Sequence, residues 1–85
     1  MDNYFIYIVR CSDTTLYTGI TTDIDRRLHE HNHTAKGAAY TSTRRPVKLV
    51  YSEGPTNRSK ASKREYAIKQ LSKKEKEILV YDKRK

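Results

Sequence analysis

Residues 4–21, the stretch most informative about the fold, read YFIYIVRCSDTTLYTGIT. Its first seven residues are aromatic, aliphatic and β-branched up to the final arginine, which is typical of a β-strand. Both faces of this strand are apolar, so we expect it to be central in a sheet. A turn signal at Ser12-Asp13-Thr14 precedes a second strand over residues 16–21, which predicts an antiparallel hairpin. In that hairpin Tyr7 lies opposite Gly19, which leaves room beside the phenol.

Local sequence signals predict a helix, a loop and a third strand in the middle of the chain. Thr22-Asp23-Ile24-Asp25 matches a helix-start pattern, and a helix is expected from about Asp23 through Asn32. The stretch from His33 to Pro46 is rich in small, hydroxyl and basic residues and is predicted to be a mobile loop. A third strand is expected over Val47 to Ser52, ended by Glu53-Gly54-Pro55.

Two more helices are expected toward the C-terminus. Asn57 or Ser59 can cap the first, which should end near Leu71. Ser72-Lys73-Lys74-Glu75 is a capping box that predicts a short third helix. We assign Tyr51 and Tyr66 to the core. The chain is interpreted as one domain over residues 1–82 with a disordered basic tail at 83–85.

The chain is short and strongly basic. A domain of 85 residues has little room for a large internal pocket. The net charge of +8, from 18 Lys and Arg against 10 Asp and Glu, favours polyanions, so nucleic acid is the leading partner class. Cys11 is the single cysteine, which excludes an intramolecular disulfide. No apolar run approaches the roughly 20 residues that span a bilayer, so we expect a soluble, cytoplasmic protein and no membrane partner.

Phenols, a guanidinium and an imidazole mark a candidate site. Tyrosines on strands usually pack, as Tyr7 and Tyr17 could, but a phenol near cations can also take a proton from an attacking water. Arg27 and His31 are spaced i, i+4 on one helix face. A planar guanidinium suits a phosphate that gains negative charge. His31 is either an exposed or capping histidine, or a group for proton transfer or phosphate contact.

Glu65 interrupts the apolar stripe of the second predicted helix. Charged groups are seldom buried without a partner, so Glu65 either forms an ion pair, with Arg64, Lys69 or Arg27, or binds a metal ion. Magnesium commonly takes only one or two protein carboxylates, with water and substrate phosphate as its other ligands. One glutamate is therefore enough for a metal site.

Basic residues also cluster outside these positions. Arg44, Arg45 and Lys63, together with Tyr40 and the hydroxyl residues 41–43, form a mixture that suits contacts to a nucleic-acid backbone. The same charges could serve solubility alone.

Together these positions resemble the GIY-YIG nuclease superfamily, from Phe5 to about Leu79. Phe5-Ile6-Tyr7 stands where the GIY triplet would, and Tyr17-Thr18-Gly19 stands for YIG. Residues 23–28 are similar to the helix that carries the family's arginine. The likeness extends to small stand-alone bacterial proteins of the superfamily whose role is unassigned.

The resemblance implies an α+β fold in which a three-stranded antiparallel sheet is flanked by helices. It also implies hydrolysis of DNA that depends on Mg²⁺ or Mn²⁺. The roles it assigns are general base for Tyr7, positioning partner for Tyr17, phosphate stabiliser for Arg27 and metal ligand for Glu65. His31 resembles the histidine that follows the arginine in structure-specific members.

Three positions depart from the family pattern: Phe5 replaces the first glycine, Ile20 a basic residue after YIG, and Glu77 stands near a frequent asparagine. The leading prediction is an endonuclease acting on a DNA structure or damage intermediate in repair or recombination, with RNA as a second candidate substrate. The alternatives are a non-catalytic nucleic-acid-binding module with the same fold, and an adaptor for an enzyme partner. The oligomeric state is left open.

Overall fold

The computed structural model describes residues 3–84. Three strands and four helices follow one another along the chain: β1 (Tyr4–Arg10), β2 (Leu16–Thr21), α1 (Ile24–His33), α2 (Ala39–Ser42), β3 (Lys48–Thr56), α3 (Arg58–Lys69) and α4 (Lys73–Arg84). The predicted α+β fold, a three-stranded antiparallel sheet with flanking helices, is confirmed. None of the helices in this described part is both long and apolar enough to cross a membrane.

The sheet has the order β2-β1-β3, so the apolar strand β1 is central, as its two apolar faces predict. β1 pairs antiparallel with both neighbours. Tyr7 pairs with Gly19 across β1 and β2, which confirms the register predicted from the hairpin turn. Because alternate side chains point to opposite faces, this register also fixes which side of the sheet each β2 residue occupies.

Helices cover both faces of the sheet. Ile6 and Ile8 pack on one face with Ala61 and Ile68 of α3 and with residues of α4. On the other face, Tyr7 lies in a smaller cluster with residues of β1, β2, α1 and the segment before β3. The sheet is therefore a thin layer between two apolar clusters, and Tyr7 belongs to the smaller one.

β3 extends beyond its predicted end and includes Gly54 and Pro55. Gly54 has a φ of +121°, and a Cβ there would approach the carbonyl oxygen of Tyr4 to 2.8 Å. The pairing of β1 with β3 is irregular at this point, between Tyr4 and Ile6. Proline is tolerated on an edge strand because no ladder hydrogen bond is needed on its outer side. The Gly-Pro pair therefore marks an irregularity in an edge strand and does not end it.

Most helix starts follow their capping signals. Asp23 caps α1 by accepting from the amide of Arg26, so the helix begins at Ile24, slightly later than predicted. Asn57 caps α3. Ser72 and Glu75 form the predicted capping box, with reciprocal bonds of 2.8 and 3.1 Å. α4 is longer than the short helix expected.

Three predictions about mobile or buried residues are wrong or fall partly outside the description. The predicted loop from His33 to Pro46 contains α2, and Thr41 within it is fully buried. Tyr51 is buried as predicted, but Tyr66 is 68% exposed because α3 buries only one face. Of the predicted tail at 83–85, the backbone of 83 and 84 is part of α4, and residue 85 lies outside the described residues.

Candidate active site

Tyr7 is the centre of the candidate site. It lies on β1 with 2% of its surface exposed. A Cβ at Gly19 would come within 2.5 Å of the Tyr7 hydroxyl oxygen, far closer than real contacts allow. Glycine at the third position of Tyr17-Thr18-Gly19 therefore makes the space that the phenol fills.

His31 reaches Tyr7 from the helix α1. Its Nε2 lies 2.7 Å from the Tyr7 hydroxyl, and its Nδ1 lies 2.8 Å from the Thr41 hydroxyl. The imidazole is fully buried. His31 is therefore neither an exposed nor a capping histidine, and both of its ring nitrogens have partners.

Burial alters the acidity of both rings. It raises the pKa of Tyr7 to about 12, although the positive charge and hydrogen bonding of Arg27 partly oppose this. Burial lowers the pKa of His31 to about 4, and Arg27 acts in the same direction. Desolvation disfavours the charged form of each group. At neutral pH the pair is thus an uncharged phenol beside an uncharged imidazole.

Arg27 lies one helical turn before His31. Its Nη1 forms an ion pair with Glu30 at 3.0 Å and also donates to the carbonyl of Lys36 at 2.9 Å. Its charge acts on Tyr7 and lowers the pKa of that phenol against the effect of burial. The guanidinium is therefore held next to the phenol by α1 and the segment that follows it.

Glu65 approaches from α3, which packs across β1 and β2. Its side chain is 23% exposed, so it lies at the border of the apolar face and not within it. It pairs with Lys69 at 3.2 Å, one of the three ion pairs considered from the sequence. The Glu65 carboxylate also raises the pKa of Tyr7 by charge repulsion. The carboxylate is thus electrostatically coupled to the phenol.

Aromatic rings continue outward from this centre. The ring of Tyr17 packs edge-on against His31, with centroids 5.4 Å apart, and stacks on Tyr40 at 5.8 Å. The guanidinium of Arg44 lies 4.0 Å from the Tyr40 ring centre, and Lys69 lies 5.8 Å from the Tyr17 ring. Tyr17 is therefore the link between the buried pair and a basic, aromatic surface.

The remaining predicted nucleic-acid contacts lie elsewhere. Arg45 donates to the carbonyls of His31 and Thr34 at the end of α1, so its guanidinium is occupied within the fold. Lys63 is exposed and lies about 200° around α3 from Glu65. Of the four residues proposed for nucleic-acid contact, the structure brings Tyr40 and Arg44 beside the site.

The sequence did not indicate the positions that two residues, Lys69 and Thr41, take at the site. Lys69 carried an i, i+4 signal as a candidate partner of Glu65, but nothing indicated its place beside Tyr17. Thr41 was expected to face nucleic acid, whereas it is buried against His31. No local pattern connects Thr41 with a histidine ten positions earlier.

The three residues that depart from the family pattern, at positions 5, 20 and 77, all contact other parts of the fold. Glu77 forms a two-pronged ion pair with Arg10, at 2.6 and 2.9 Å, which ties α4 to the end of β1. Ile20 packs against the larger apolar cluster. The Phe5 ring faces Gly54, where a Cβ would lie 3.2 Å from it.

The fold and the arrangement around Tyr7 place this chain in a recognised class. It matches the family described as GIY-YIG catalytic domain over residues 3–78 and belongs to that family. This confirms the resemblance seen in the sequence.

Its relatives are small proteins of the UPF0213 group. The chain is 66% identical over 77 residues to the UPF0213 protein DP2720 of Desulfotalea psychrophila, covering 91% of this chain and 70% of that protein. It is 51% identical over 76 residues to the UPF0213 protein SERP0126 of Staphylococcus epidermidis, covering 89% and 92% respectively.

The fold is also found in solved structures of related proteins. The solution NMR structure of the UPF0213 protein BH0048 from Bacillus halodurans aligns with a TM-score of 0.60 at 43% identity, covering 93% of this chain and 83% of that one. The solution NMR structure of EF2693 from E. faecalis aligns with a TM-score of 0.64 at 37% identity, covering 96% and 86%.

Proposed function

We propose that this protein is a divalent-metal-dependent endonuclease that hydrolyses DNA phosphodiester bonds, acting on a structural or damage intermediate in repair or recombination. The observation that carries the proposal is the 2.7 Å contact of His31 with the Tyr7 phenol, on which the charges of Arg27 and Glu65 also act. A module that only bound nucleic acid would gain nothing from a buried phenol–imidazole pair beside a guanidinium and a carboxylate.

In the proposed reaction Tyr7 is the general base. The proton of its hydroxyl passes to His31 Nε2, which gives a phenolate and an imidazolium 2.7 Å apart. The phenolate accepts a proton from water as the water oxygen bonds to phosphorus and the bond to the leaving oxygen breaks. The imidazolium then returns its proton to the Tyr7 oxygen while the Tyr7 hydroxyl passes the proton taken from water to the departing oxygen, so both side chains regain their starting states.

Arg27 and Tyr17 have supporting roles in this scheme. Arg27 supplies a planar, permanently charged donor for the phosphoryl oxygens, whose charge grows during displacement. Tyr17 packs against the edge of His31 and holds the ring in line with Tyr7. Burial disfavours ionisation of the phenol, and the charge and hydrogen bonding of Arg27, which lower the pKa of Tyr7, favour the phenolate that acts as the base.

The donor set fits a hard divalent cation bound mainly by water and substrate. Among residues 3–84 no three His, Cys, Asp or Glu side chains are grouped so as to enclose a metal ion. Glu65 would hold Mg²⁺ or Mn²⁺ through its carboxylate, in keeping with the few protein ligands that magnesium requires. The ion would stabilise negative charge on the phosphoryl group and the leaving oxygen.

Cleavage by purified protein tests the proposal. Labelled single-stranded, duplex, flap and branched DNAs, and an RNA, would be incubated with Mg²⁺, Mn²⁺ or a chelator. We expect metal-dependent cutting of at least one DNA. Tyr7→Phe keeps the ring but removes the proton-transfer group, so the rate should fall by about 10² to 10⁴. Arg27→Lys loses the planar guanidinium, and its cleavage rate should fall by a comparable factor.

Matched control variants change the same residue types at exposed positions. Tyr66→Phe removes the hydroxyl of an exposed tyrosine on α3, and Arg26→Lys changes an exposed arginine beside Arg27. Both should keep near-normal rates. Glu65→Gln should abolish metal-dependent cleavage while changing stability only by the few tenths of a kcal/mol typical of an i, i+4 pair. Cleavage that survives Tyr7→Phe within a few-fold would overturn the proposed mechanism.

A further inference from the structure

The imidazole of His31 lies between two hydroxyl groups, one at each nitrogen. Tyr7 lies 2.7 Å from Nε2, and Thr41 lies 2.8 Å from Nδ1. All three side chains are at least 98% buried, so solvent does not compete for these bonds. A neutral imidazole carries one N–H, and its position decides which hydroxyl donates and which accepts.

The surroundings of Thr41 decide the position of that hydrogen. The Thr41 hydroxyl has a single proton, and its oxygen lies 3.0 Å from the carbonyl oxygen of Ala38, which can only accept. With that proton given to Ala38, the Thr41 oxygen can only accept from His31 Nδ1–H. In the opposite tautomer, His31 Nδ1 would accept the Thr41 proton. A lone pair of the Thr41 oxygen would then face the carbonyl oxygen of Ala38, and the two would repel.

We propose that Thr41 is a positioning residue that holds His31 in the Nδ1–H tautomer, so that Nε2 faces Tyr7 as an acceptor and the phenol must donate to it. The importance of this tautomer for catalysis rests on the proposed function, because only an Nε2 lone pair can take the proton from Tyr7. With the hydrogen on Nε2 instead, the imidazole would donate to the phenol oxygen and could not accept its proton.

The fold places Thr41 against His31 through tight packing of the segment before α2. A Cβ at Gly37 would come within 2.8 Å of the His31 Cα, so glycine lets this segment approach α1 closely. Tyr40, the residue next to Thr41, stacks on Tyr17. The one-turn helix α2 therefore seats adjacent residues against two aromatic side chains of the site, which defines its orientation.

Nitrogen NMR of the imidazole tests the proposal without any substrate. In ¹⁵N-labelled wild-type protein at pH 7, long-range proton–nitrogen correlations distinguish a protonated from an unprotonated ring nitrogen. We expect His31 to be the Nδ1–H tautomer in the wild type and in Thr41→Ser, which keeps the hydroxyl. Thr41→Val removes the acceptor for Nδ1–H and should move the hydrogen to Nε2. Ser42→Ala, at an exposed neighbour whose hydroxyl bonds Ala39, should change nothing.

Cleavage kinetics give the second readout. Thr41→Val should lower kcat by roughly 10²-fold at nearly unchanged KM, and Thr41→Ser should restore most of the rate. An Nε2–H tautomer in the wild type, or an unchanged tautomer in Thr41→Val, would overturn the proposal. Should the wild-type protein cut no nucleic acid, the proposed function fails, while the tautomer measurement still decides the role of Thr41.

Discussion

At the scale of single residues, His31 shows how the position of a histidine in the fold determines its pKa. His29, His31 and His33 lie within one stretch of five residues, and their types alone do not distinguish them. Only His31 among these three is buried, because it faces the sheet from α1. Its surroundings contain the cations Arg27 and Arg45 and the carboxylate of Glu30, and burial is the largest influence on its pKa.

This burial predicts a pH-dependent stability. The pKa of His31 is lowered to about 4 in the folded protein, whereas an unfolded histidine titrates near 6.5. The unfolded state therefore binds more protons between these values, and stability falls as the pH drops through that window. We expect the free energy of unfolding to be about 2 kcal/mol lower at pH 5 than at pH 7, measured by urea titration.

Two variants isolate the contribution of His31. His31→Gln should remove most of the pH dependence, while His33→Gln, at an exposed position of the same helix, should retain it. The salt-bridged carboxylates Asp13, Glu30 and Glu77 have lowered pKa values, so their stabilisation is lost only at more acidic pH. Equal stability of the wild type at pH 7 and pH 5 would contradict the neutral, buried state of the imidazole.

At the scale of elements, the segment between α1 and β3 is better ordered than its composition predicts. The side-chain amide of Asn32 bonds both backbone groups of Val47, at 2.7 and 3.1 Å. Arg45 donates to two carbonyls near the end of α1, His31 and Thr34, where helix carbonyls lack intrahelical partners. The segment is thus tied to α1 by side-chain bonds and holds α2 against the site.

Adjacent arginines should therefore differ in their effect on stability. Arg45→Ala removes hydrogen bonds from a charged donor to partly buried carbonyls and should lower the free energy of unfolding by about 1.5 to 3 kcal/mol. Arg44→Ala removes an exposed pair with Asp13 and a contact to Tyr40, and should cost less than about 1 kcal/mol. Equal losses in urea titrations of the two variants would show that Arg45 does not anchor the segment.

At the scale of the whole molecule, the net charge is +8, but the positively charged side chains are not equally available to a polyanionic partner. Arg45 is committed to backbone carbonyls, and Lys63 lies on the side of α3 away from Glu65. Arg44, Lys69 and the rings of Tyr17 and Tyr40 lie together beside the buried site. A bound phosphate chain is therefore expected on this basic, aromatic surface.

The salt dependence of DNA binding tests whether that surface contacts the phosphates. If about four phosphates are neutralised, log K should fall against log salt with a slope near −3.6. Arg44→Ala should reduce the magnitude of the slope by about 0.9. Lys63→Ala removes the same charge from the other side of α3 and should leave the slope unchanged. Binding that is independent of salt, or an equal effect of both variants in fluorescence anisotropy, would contradict this placement.

Features that depend on neighbouring residues were predictable from the sequence. The apolar strand, the turn and the hairpin register placed Tyr7 opposite Gly19, because a hairpin register follows from its turn. Capping signals located the starts of α3 and α4, since caps bond amides only two or three positions away. The spacing of Arg27 and His31 placed both on one face of α1.

Which of several similar residues reach the site depends on the packing of the whole chain and could not be predicted from local sequence. Packing pairs Lys69 with Glu65, leaves Tyr66 exposed, and brings Thr41 to His31 across ten positions of the chain. These outcomes depend on how helices pack against the sheet and on where a loop returns, and many residues share in setting both. A local pattern states what a side chain can bond, whereas the packed chain determines which partner lies within 3 Å and whether water is excluded from the bond.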